Sequence, residues 1–308
     1  MQNGDRKIKP DSFKAWVCAI RPKTLSGAAA PVLVSCAIAF RDGVFNTPVA
    51  IIALCFALLM QIDANLINDL YDFLKGGDTE GRLGPKRACM QGWITVGAMK
   101  KGILATSAAA CTIGSLLLFY GGAELIVVGL LCIVFAYLYT GGPCPLAYYG
   151  CGDLLVLLFF GIVPVCCTYY IMAQEIPSYV LLSSLACGIV IDTMLILNNF
   201  RDKDEDRKNG KITTIVLLGE KIGSLAYLFT GIAGVILAIS AIILSGESLT
   251  DKIPYTVVIL LPYMILHIAT WSRMVKINCG KQLNMILGET SRNIIIFSLL
   301  FCLATALS

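Results

Sequence analysis

The residues most able to do chemistry lie in two short segments, of which residues 65–87 are the first. Asn65, Asn68 and Asp72 stand at i, i+3 and i+7, so a helix would place all three on one face. A Gly-Gly pair would then end this helix and let Asp78 fold back over the same face. Such a face offers oxygen ligands to a hard cation such as Mg²⁺.

The second segment, residues 198–213, repeats this arrangement. Asn198, Asp202 and Asp206 stand at i, i+4 and i+8, which stacks two carboxylates on one helical face. The same Asn-x₃-Asp spacing therefore ends two helices, and we infer that one site lies between two half-bundles. A secondary transporter also has repeated halves, but its acids lie at the membrane midplane rather than at the inner ends of spans.

The mixture of Asn, Asp and Arg predicts that the site binds an anion through a metal ion. Carboxylates near lipid cost roughly 2.5 kcal/mol or more each to ionise at depth, so they need a compensating cation. Mg²⁺ prefers one or two carboxylates together with phosphate oxygens and waters. Asn amides and Arg guanidinium groups bind phosphate oxygens. The two segments thus predict Mg²⁺ and a diphosphate at one membrane face.

Other acids close to these segments have simpler interpretations. Asp204 and Glu205 lie among Lys and Arg residues, which is typical of a solvated helix face. Asp63 and Asp192 lie deeper in apolar stretches. They would either join the site or form structural hydrogen bonds to other spans, and the sequence leaves both roles open.

Membrane-spanning helices must position these residues. The chain has 308 residues, of which 57% are hydrophobic, and a mean hydropathy of +0.79, so too little polar surface remains for a water-soluble domain. Apolar runs of about 18–22 residues can cross a hydrocarbon core of about 30 Å as helices. We therefore predict an all-α integral membrane bundle of nine transmembrane helices, forming one domain over residues 1–308. The predicted spans are 24–41, 47–67, 98–120, 124–140, 153–173, 178–198, 222–244, 254–272 and 290–307.

The distribution of Lys and Arg predicts the orientation of the bundle. With the N-terminus inside and nine spans, all of the 24 Lys and Arg residues except Arg41 and Lys252 fall on the cytoplasmic side. We expect the N-terminus and both motif segments to be cytoplasmic, at the plasma (inner) membrane. The net charge of +4 reflects this polarity, so we expect no nucleic-acid partner. The single His excludes a metal site built from histidines.

Both segments resemble the signature motifs of the UbiA superfamily of intramembrane prenyltransferases. The similarity covers most of the chain. It implies the nine-helix UbiA bundle, Mg²⁺ as cofactor, and a polyprenyl diphosphate and an aromatic acceptor as substrates. The matching stretches are 65–78, 82–85, 198–206, 210–213, 16–25 and 139–153.

Within the superfamily, local details are most similar to the enzymes that prenylate 1,4-dihydroxy-2-naphthoate in menaquinone synthesis. Position 76 is Gly and the third acid of the first motif is Asp78, whereas ubiquinone-type relatives usually space this motif as Asn-Asp-x₂-Asp-x₃-Asp. Residues 143–152 include no basic residue, which favours a bacterial over a vertebrate-type enzyme. The alternative acceptors are 4-hydroxybenzoate and a chlorin.

Residue chemistry and the resemblance together predict roles within the site. The predicted metal ligands are Asp69, Asp72, Asp78, Asp202 and Asp206. The residues predicted to bind the diphosphate are Arg21, Arg82, Arg87, Arg201 and Lys211. The predicted catalytic set is Asn68, Asp72, Asp78, Asn198, Asp202, Asp206 and Tyr139. Tyr71 and Tyr139 would shield an allylic cation with their π faces, although a Tyr at a membrane interface is more often only an anchor.

Overall fold

The computed structural model describes residues 8–76, 83–246 and 249–308, and of residues 249–254 it describes the backbone alone. Within these ranges the chain folds into thirteen α-helices. A π-helical turn, Leu158–Ile162, joins α7 to α8. The helices are α1 Phe13–Ile20, α2 Leu25–Arg41, α3 Thr47–Leu74, α4 Val96–Ser115, α5 Leu118–Gly121, α6 Leu125–Thr140, α7 Gly152–Leu157, α8 Val163–Ala173, α9 Ser178–Lys208, α10 Thr214–Leu218, α11 Glu220–Leu244, α12 Leu249–Ile277 and α13 Leu283–Ala306.

Eight helical stretches among the described residues are long and apolar enough to cross a membrane. They are α1 with α2, α3, α4 with α5, α7 with α8, α9, α11, most of α12, and α13. The predicted count of nine is therefore not confirmed. The remaining helix, α6, is apolar, but its 16 residues span only about 24 Å, which is less than the thickness of a typical hydrocarbon core.

Two long helices carry the motifs to one end of the bundle. Asn46 caps the start of α3 by accepting from the Val49 N–H, and α3 then continues through 28 residues to Leu74. Gly76 follows with φ +69°, a backbone conformation that favours glycine and turns the chain away from the helix. The 31 residues of α9 hold the whole second carboxylate stack on one helix.

A close approach of two helices fixes the position of α9. Gly161, in the π-helical turn, faces Gly188 of α9, and a Cβ atom added at Gly161 would lie 2.6 Å from the Ser184 carbonyl oxygen and 2.8 Å from the Gly188 Cα. Only glycine permits this approach. The start of α7 is consequently held against the motif-bearing helix.

Asp63 links two helices inside the bundle. It is buried on α3, and its two carboxylate oxygens accept hydrogen bonds from the Thr106 and Ser107 hydroxyls of α4. The Ser107 bond measures 2.8 Å. Of the two roles left open by the sequence, the structural one thus applies to Asp63.

Candidate active site

A cavity of about 610 Å³ lies between α2, α3, α4, α6, α8 and α9. Its lining is mostly apolar and extends to Leu125 at the start of α6. Asn68, Asn198, Tyr139 and Arg21 add polar groups to this wall. The cavity is suited to a ligand with a polar head and a long apolar body.

The first motif is anchored to the end of α6. The Thr140 hydroxyl donates to Asn68 Oδ1 over 2.7 Å, and the Lys75 ammonium donates to the Thr140 carbonyl over 2.7 Å. Asp72, one turn beyond Asn68, forms an ion pair with Arg87. Thr140 was not singled out by the sequence analysis, because a lone Thr at the end of an apolar run has no distinctive local pattern.

Asp69 has a different environment from the one predicted for a metal ligand. Its two oxygens accept from the backbone N–H groups of Ala88, at 2.8 Å, and Cys89, at 2.9 Å, and the residue is only 1% exposed. Both oxygens thus hold backbone N–H groups of the chain that follows the first motif, so Asp69 is assigned a structural role. Asp72 and Asp202, whose partners are basic side chains, remain proposed metal ligands.

Asn65 positions the turn that contains Arg21. Its amide donates to the Ile20 carbonyl over 2.8 Å and to the Thr24 hydroxyl over 2.9 Å. Arg21 lies between these two partners with φ +55° and lines the cavity. Asn65, predicted as part of the helical face, therefore supports the turn that contains Arg21, which is predicted to bind the diphosphate.

The second motif is held by basic side chains. Arg201 binds both oxygens of Asp202, at 2.7 and 2.6 Å, in the bidentate geometry that a guanidinium group favours. The Lys211 ammonium lies 3.3 Å from Asp206 Oδ1. Asn198 donates to the Met194 carbonyl of its own helix over 2.9 Å while lining the cavity.

Asn284 links the two motif segments. Asn284, at the start of α13, accepts from Arg201 over 3.0 Å and donates to the Leu83 carbonyl over 2.7 Å. Asn284 was missed because Leu83 lies 201 residues away, a separation that gives no local signal.

The acids of α9 differ in solvent exposure, as the sequence predicts. The Asp204 side chain is 72% exposed and its ion pair with Arg207 is long, at 3.9 Å, whereas the Asp206 side chain is only 9% exposed. This supports the interpretation of Asp204 as part of a solvated face. Asp78 and Arg82 lie outside the described residues.

The carboxylates of the site fit a cation that brings further ligands with it. Within the described part of the chain, no group of three or more His, Cys, Asp or Glu side chains is arranged to hold a metal ion by itself. The Asp206 Oδ2 atom, however, is buried without a hydrogen-bond partner. A buried carboxylate oxygen without a donor is suited to a cation, and Mg²⁺ completes its shell with waters and phosphate oxygens.

Residues 28–285 match the UbiA prenyltransferase family. The chain belongs to this family. It is therefore a prenyltransferase, and its apolar helices make it an integral membrane protein. The all-α architecture and the family expected from the two motifs are confirmed.

Two bacterial proteins with similar sequences carry the same name. The prenyltransferase is 39% identical over 213 residues to 1,4-dihydroxy-2-naphthoate octaprenyltransferase of Escherichia coli (strain K12), which covers 67% of this chain and 69% of the relative. It is 30% identical over 312 residues to the protein of the same name from Haemophilus influenzae, covering 97% of each. Among solved structures, a UbiA homolog from Archaeoglobus fulgidus bound to GPP and Mg²⁺ has the same fold, with a TM-score of 0.64, 18% identity and coverage of 96% of this chain and 100% of that one.

Proposed function

We propose that this prenyltransferase transfers a polyprenyl group from a polyprenyl diphosphate to 1,4-dihydroxy-2-naphthoate, with Mg²⁺ as cofactor, releasing diphosphate and CO₂ and giving demethylmenaquinol. The observation that carries the proposal is that Asn68 and Asn198, the leading residues of the two Asn-x₃-Asp repeats, line one apolar cavity. The names of the E. coli and H. influenzae relatives support the acceptor. The A. fulgidus homolog bound to GPP and Mg²⁺ supports the metal and the diphosphate.

The polar end of the cavity would bind the diphosphate. Asn68, fixed by Thr140, and Asn198 would orient its oxygens. When bound, Mg²⁺ would stabilise negative charge on the departing diphosphate. The proposed metal ligands are Asp72, Asp202, Asp206 and, from the sequence alone, Asp78. The proposed cationic contacts are Arg21, Arg87, Arg201, Lys211 and, from the sequence alone, Arg82. They would stabilise the negative charge that develops on the departing diphosphate more than they stabilise the bound substrate.

The apolar part of the cavity would hold the isoprenoid tail and exclude water from the allylic cation. Tyr139 lines this cavity, so its π face is the one we assign to shielding the cation. Tyr71 instead packs edge-on against Tyr137, with ring centroids 5.2 Å apart, and serves as an anchor. The electron-rich naphthoate ring then attacks the allylic carbon, and loss of CO₂ restores its aromaticity. No protein nucleophile is required.

A transfer assay tests this proposal. The purified protein in lipid nanodiscs receives labelled polyprenyl diphosphate and, separately, 1,4-dihydroxy-2-naphthoate, 4-hydroxybenzoate or a chlorin. We expect Mg²⁺-dependent prenylation of the naphthoate, loss of turnover with EDTA and recovery when Mg²⁺ is restored. Prenylation of one of the other acceptors instead would refute the acceptor assignment, and turnover that survives chelation would refute the metal assignment.

A further inference from the structure

A basic patch lies on the outside of the bundle at the motif end, where α1 rests on the start of α4. It consists of four exposed lysines, two from the stretch that leads into α1 and two from α4: Lys9, Lys14, Lys100 and Lys101. Within the part of the chain that the structure describes, none of the four takes part in an ion pair. One exposed acid, Asp11, lies two residues after Lys9, so the patch keeps a net positive charge.

Direct contacts hold the two halves of the patch together. The Trp16 ring of α1 lies on Gly102 of α4, where an added Cβ atom would come within 2.7 Å of the ring. The Asp11 N–H donates to the Trp93 carbonyl over 2.8 Å, which fixes the turn before α1 against the loop that leads into α4. The two segments that carry the lysines are therefore neighbours in space.

The burial of α1 shows which of its sides faces away from the bundle. Ala15 and Ala19 are buried and belong to an apolar cluster that includes Leu66 of α3, so this side packs on the helix of the first motif. Phe13, on a different side of α1, is 85% exposed, and its neighbour Lys14 is exposed as well. An exposed aromatic ring beside a lysine is typical of a helix that lies in the headgroup region of a bilayer.

The two lysines of α4 lie at the level where this helix leaves the hydrocarbon. The stretch Val96–Gly121 is long and apolar enough to cross a membrane. Leu104 is 72% exposed, so its side of α4 faces lipid. Lys100 and Lys101 precede Leu104 by four and three residues, which places them on the same side of α4, one turn nearer the motif end. Lysine stems at such a position extend the ammonium groups to the lipid headgroups.

We propose that the basic patch binds anionic phospholipids of the leaflet at the motif end, through contacts between lysine ammonium groups and headgroup phosphates. Charge complementarity carries the proposal, because four lysines without ion pairs meet the membrane at one level. A cluster of this size beside a membrane span attracts anionic headgroups, with each lysine raising the affinity about fivefold. A zwitterionic headgroup carries its own cation beside the phosphate, so the patch favours anionic lipids. The site lies outside the cavity and does not depend on the identity of the aromatic acceptor.

Trp16 provides a reporter for this site, because it lies beside the patch and the chain has only three Trp residues. Trp93→Phe and Trp271→Phe leave Trp16 as the sole tryptophan of the full-length protein. This protein is placed in nanodiscs of phosphatidylcholine that contain increasing fractions of brominated phosphatidylglycerol or, separately, brominated phosphatidylcholine. Bromine quenches tryptophan fluorescence at short range. We expect the binding constant of phosphatidylglycerol at Trp16 to exceed that of phosphatidylcholine about tenfold or more.

Charge-removing variants then identify the residues that bind the lipid. Lys100→Gln with Lys101→Gln should bring the binding constants of the two lipids to within about twofold of each other. Phe13→Ser with Lys14→Gln tests the α1 half of the patch in the same way and should also lower the preference. These positions are exposed, so the substitutions leave the packed interior of the bundle unchanged.

Lys276→Gln with Lys281→Gln is the matched control, because it removes the same charge from exposed positions at the motif end, beside α12 and α13. It should keep the preference for phosphatidylglycerol at Trp16. Equal quenching by the two lipids in the protein with all four lysines would overturn the inference. A control that loses the preference as fully as the Lys100 and Lys101 variant would also overturn it, since the attraction would then come from the total charge of the protein. Prenyl transfer is not measured, so a failure of the proposed function would leave this result unaffected.

Discussion

At the scale of single residues, the site depends on which groups the oxygens of each carboxylate bind. Asp69 uses both oxygens on backbone N–H groups, whereas Asp206 has one buried oxygen without a donor. Two acids at comparable places in the two motifs can therefore differ completely in chemical role. Helical spacing in the sequence identifies candidate metal ligands, and the hydrogen bonds in the structure distinguish the structural acids among them.

The first prediction concerns the charge of Asp202. Asp202→Asn keeps the size of the side chain beside Arg201 but removes a proposed metal ligand, so we expect kcat to fall about 100-fold or more. Initial rates at saturating Mg²⁺ and substrates measure this effect. The control is Asp204→Asn on the exposed face of the same helix, which should retain its rate. A wild-type rate for Asp202→Asn would contradict the metal assignment.

The second prediction concerns Asn284. It bridges Arg201 and the Leu83 carbonyl, so Asn284→Ala should loosen the two motif segments relative to each other. We expect KM for the prenyl diphosphate to rise roughly tenfold, about the loss of two net hydrogen bonds. Gln282→Ala, at an exposed position two residues earlier, provides the control for steady-state kinetics. An unchanged KM in Asn284→Ala would exclude this bridging role.

At the scale of elements, the position of α9 follows from its contact with the π-helical turn. Gly161 and Gly188 allow the two backbones to touch, and α7, which precedes this turn, packs against α9. A π-helical turn within an apolar helix shifts the faces of the residues that follow it. Because this shift depends on how the helices pack, the spacing of apolar residues in the sequence does not predict it.

The third prediction tests this helix contact. Gly161→Ala places a methyl group against the Ser184 backbone, so the π-helical turn and α9 must move apart. We expect a loss of about 1–3 kcal/mol in the free energy of unfolding, as for other overpacked sites, together with a lower kcat. Thermal unfolding in detergent measures the first effect. Gly288→Ala, where an added Cβ meets nothing within 4 Å, should leave stability and rate unchanged; equal melting temperatures for both variants would refute the packing argument.

At the scale of the whole molecule, the short helix α6 decides the topology. Its start lies beside Tyr170, whose hydroxyl bonds to Glu124 over 2.8 Å, at the end of α8. Its end lies beside Asn68, through Thr140, at the motif end of the bundle. We therefore expect α6 to cross the bilayer in spite of its length, which would give the nine spans predicted from the sequence.

The fourth prediction follows from that topology. With a cytoplasmic N-terminus, nine crossings place residue 308 outside and eight place it inside. We expect green fluorescent protein fused after Ser308 to be dark and alkaline phosphatase fused there to be active. Fusions after Asn209, in the loop that follows the second motif, should give the opposite result. A fluorescent fusion after Ser308 would mean that α6 does not cross.

The sequence by itself determined the membrane environment, the helical class and the two motif faces. These features depend on composition and on the 3.6-residue helical period. Both are local properties, so they can be identified without knowing which residues are in contact. Asn68 and Asn198 were therefore found from spacing alone, and the structure places both on one cavity.

Only the tertiary structure decided what each polar group touches. Asp63 and Asp192 are alike in sequence, yet Asp63 bonds to two hydroxyls of α4 whereas the Oδ1 atom of Asp192 is buried without a hydrogen-bond partner. The reason is physical: a helix fixes the direction of its own side chains, but the groups they meet come from helices distant in the chain. The placement of Asn65 under the Arg21 turn has the same origin.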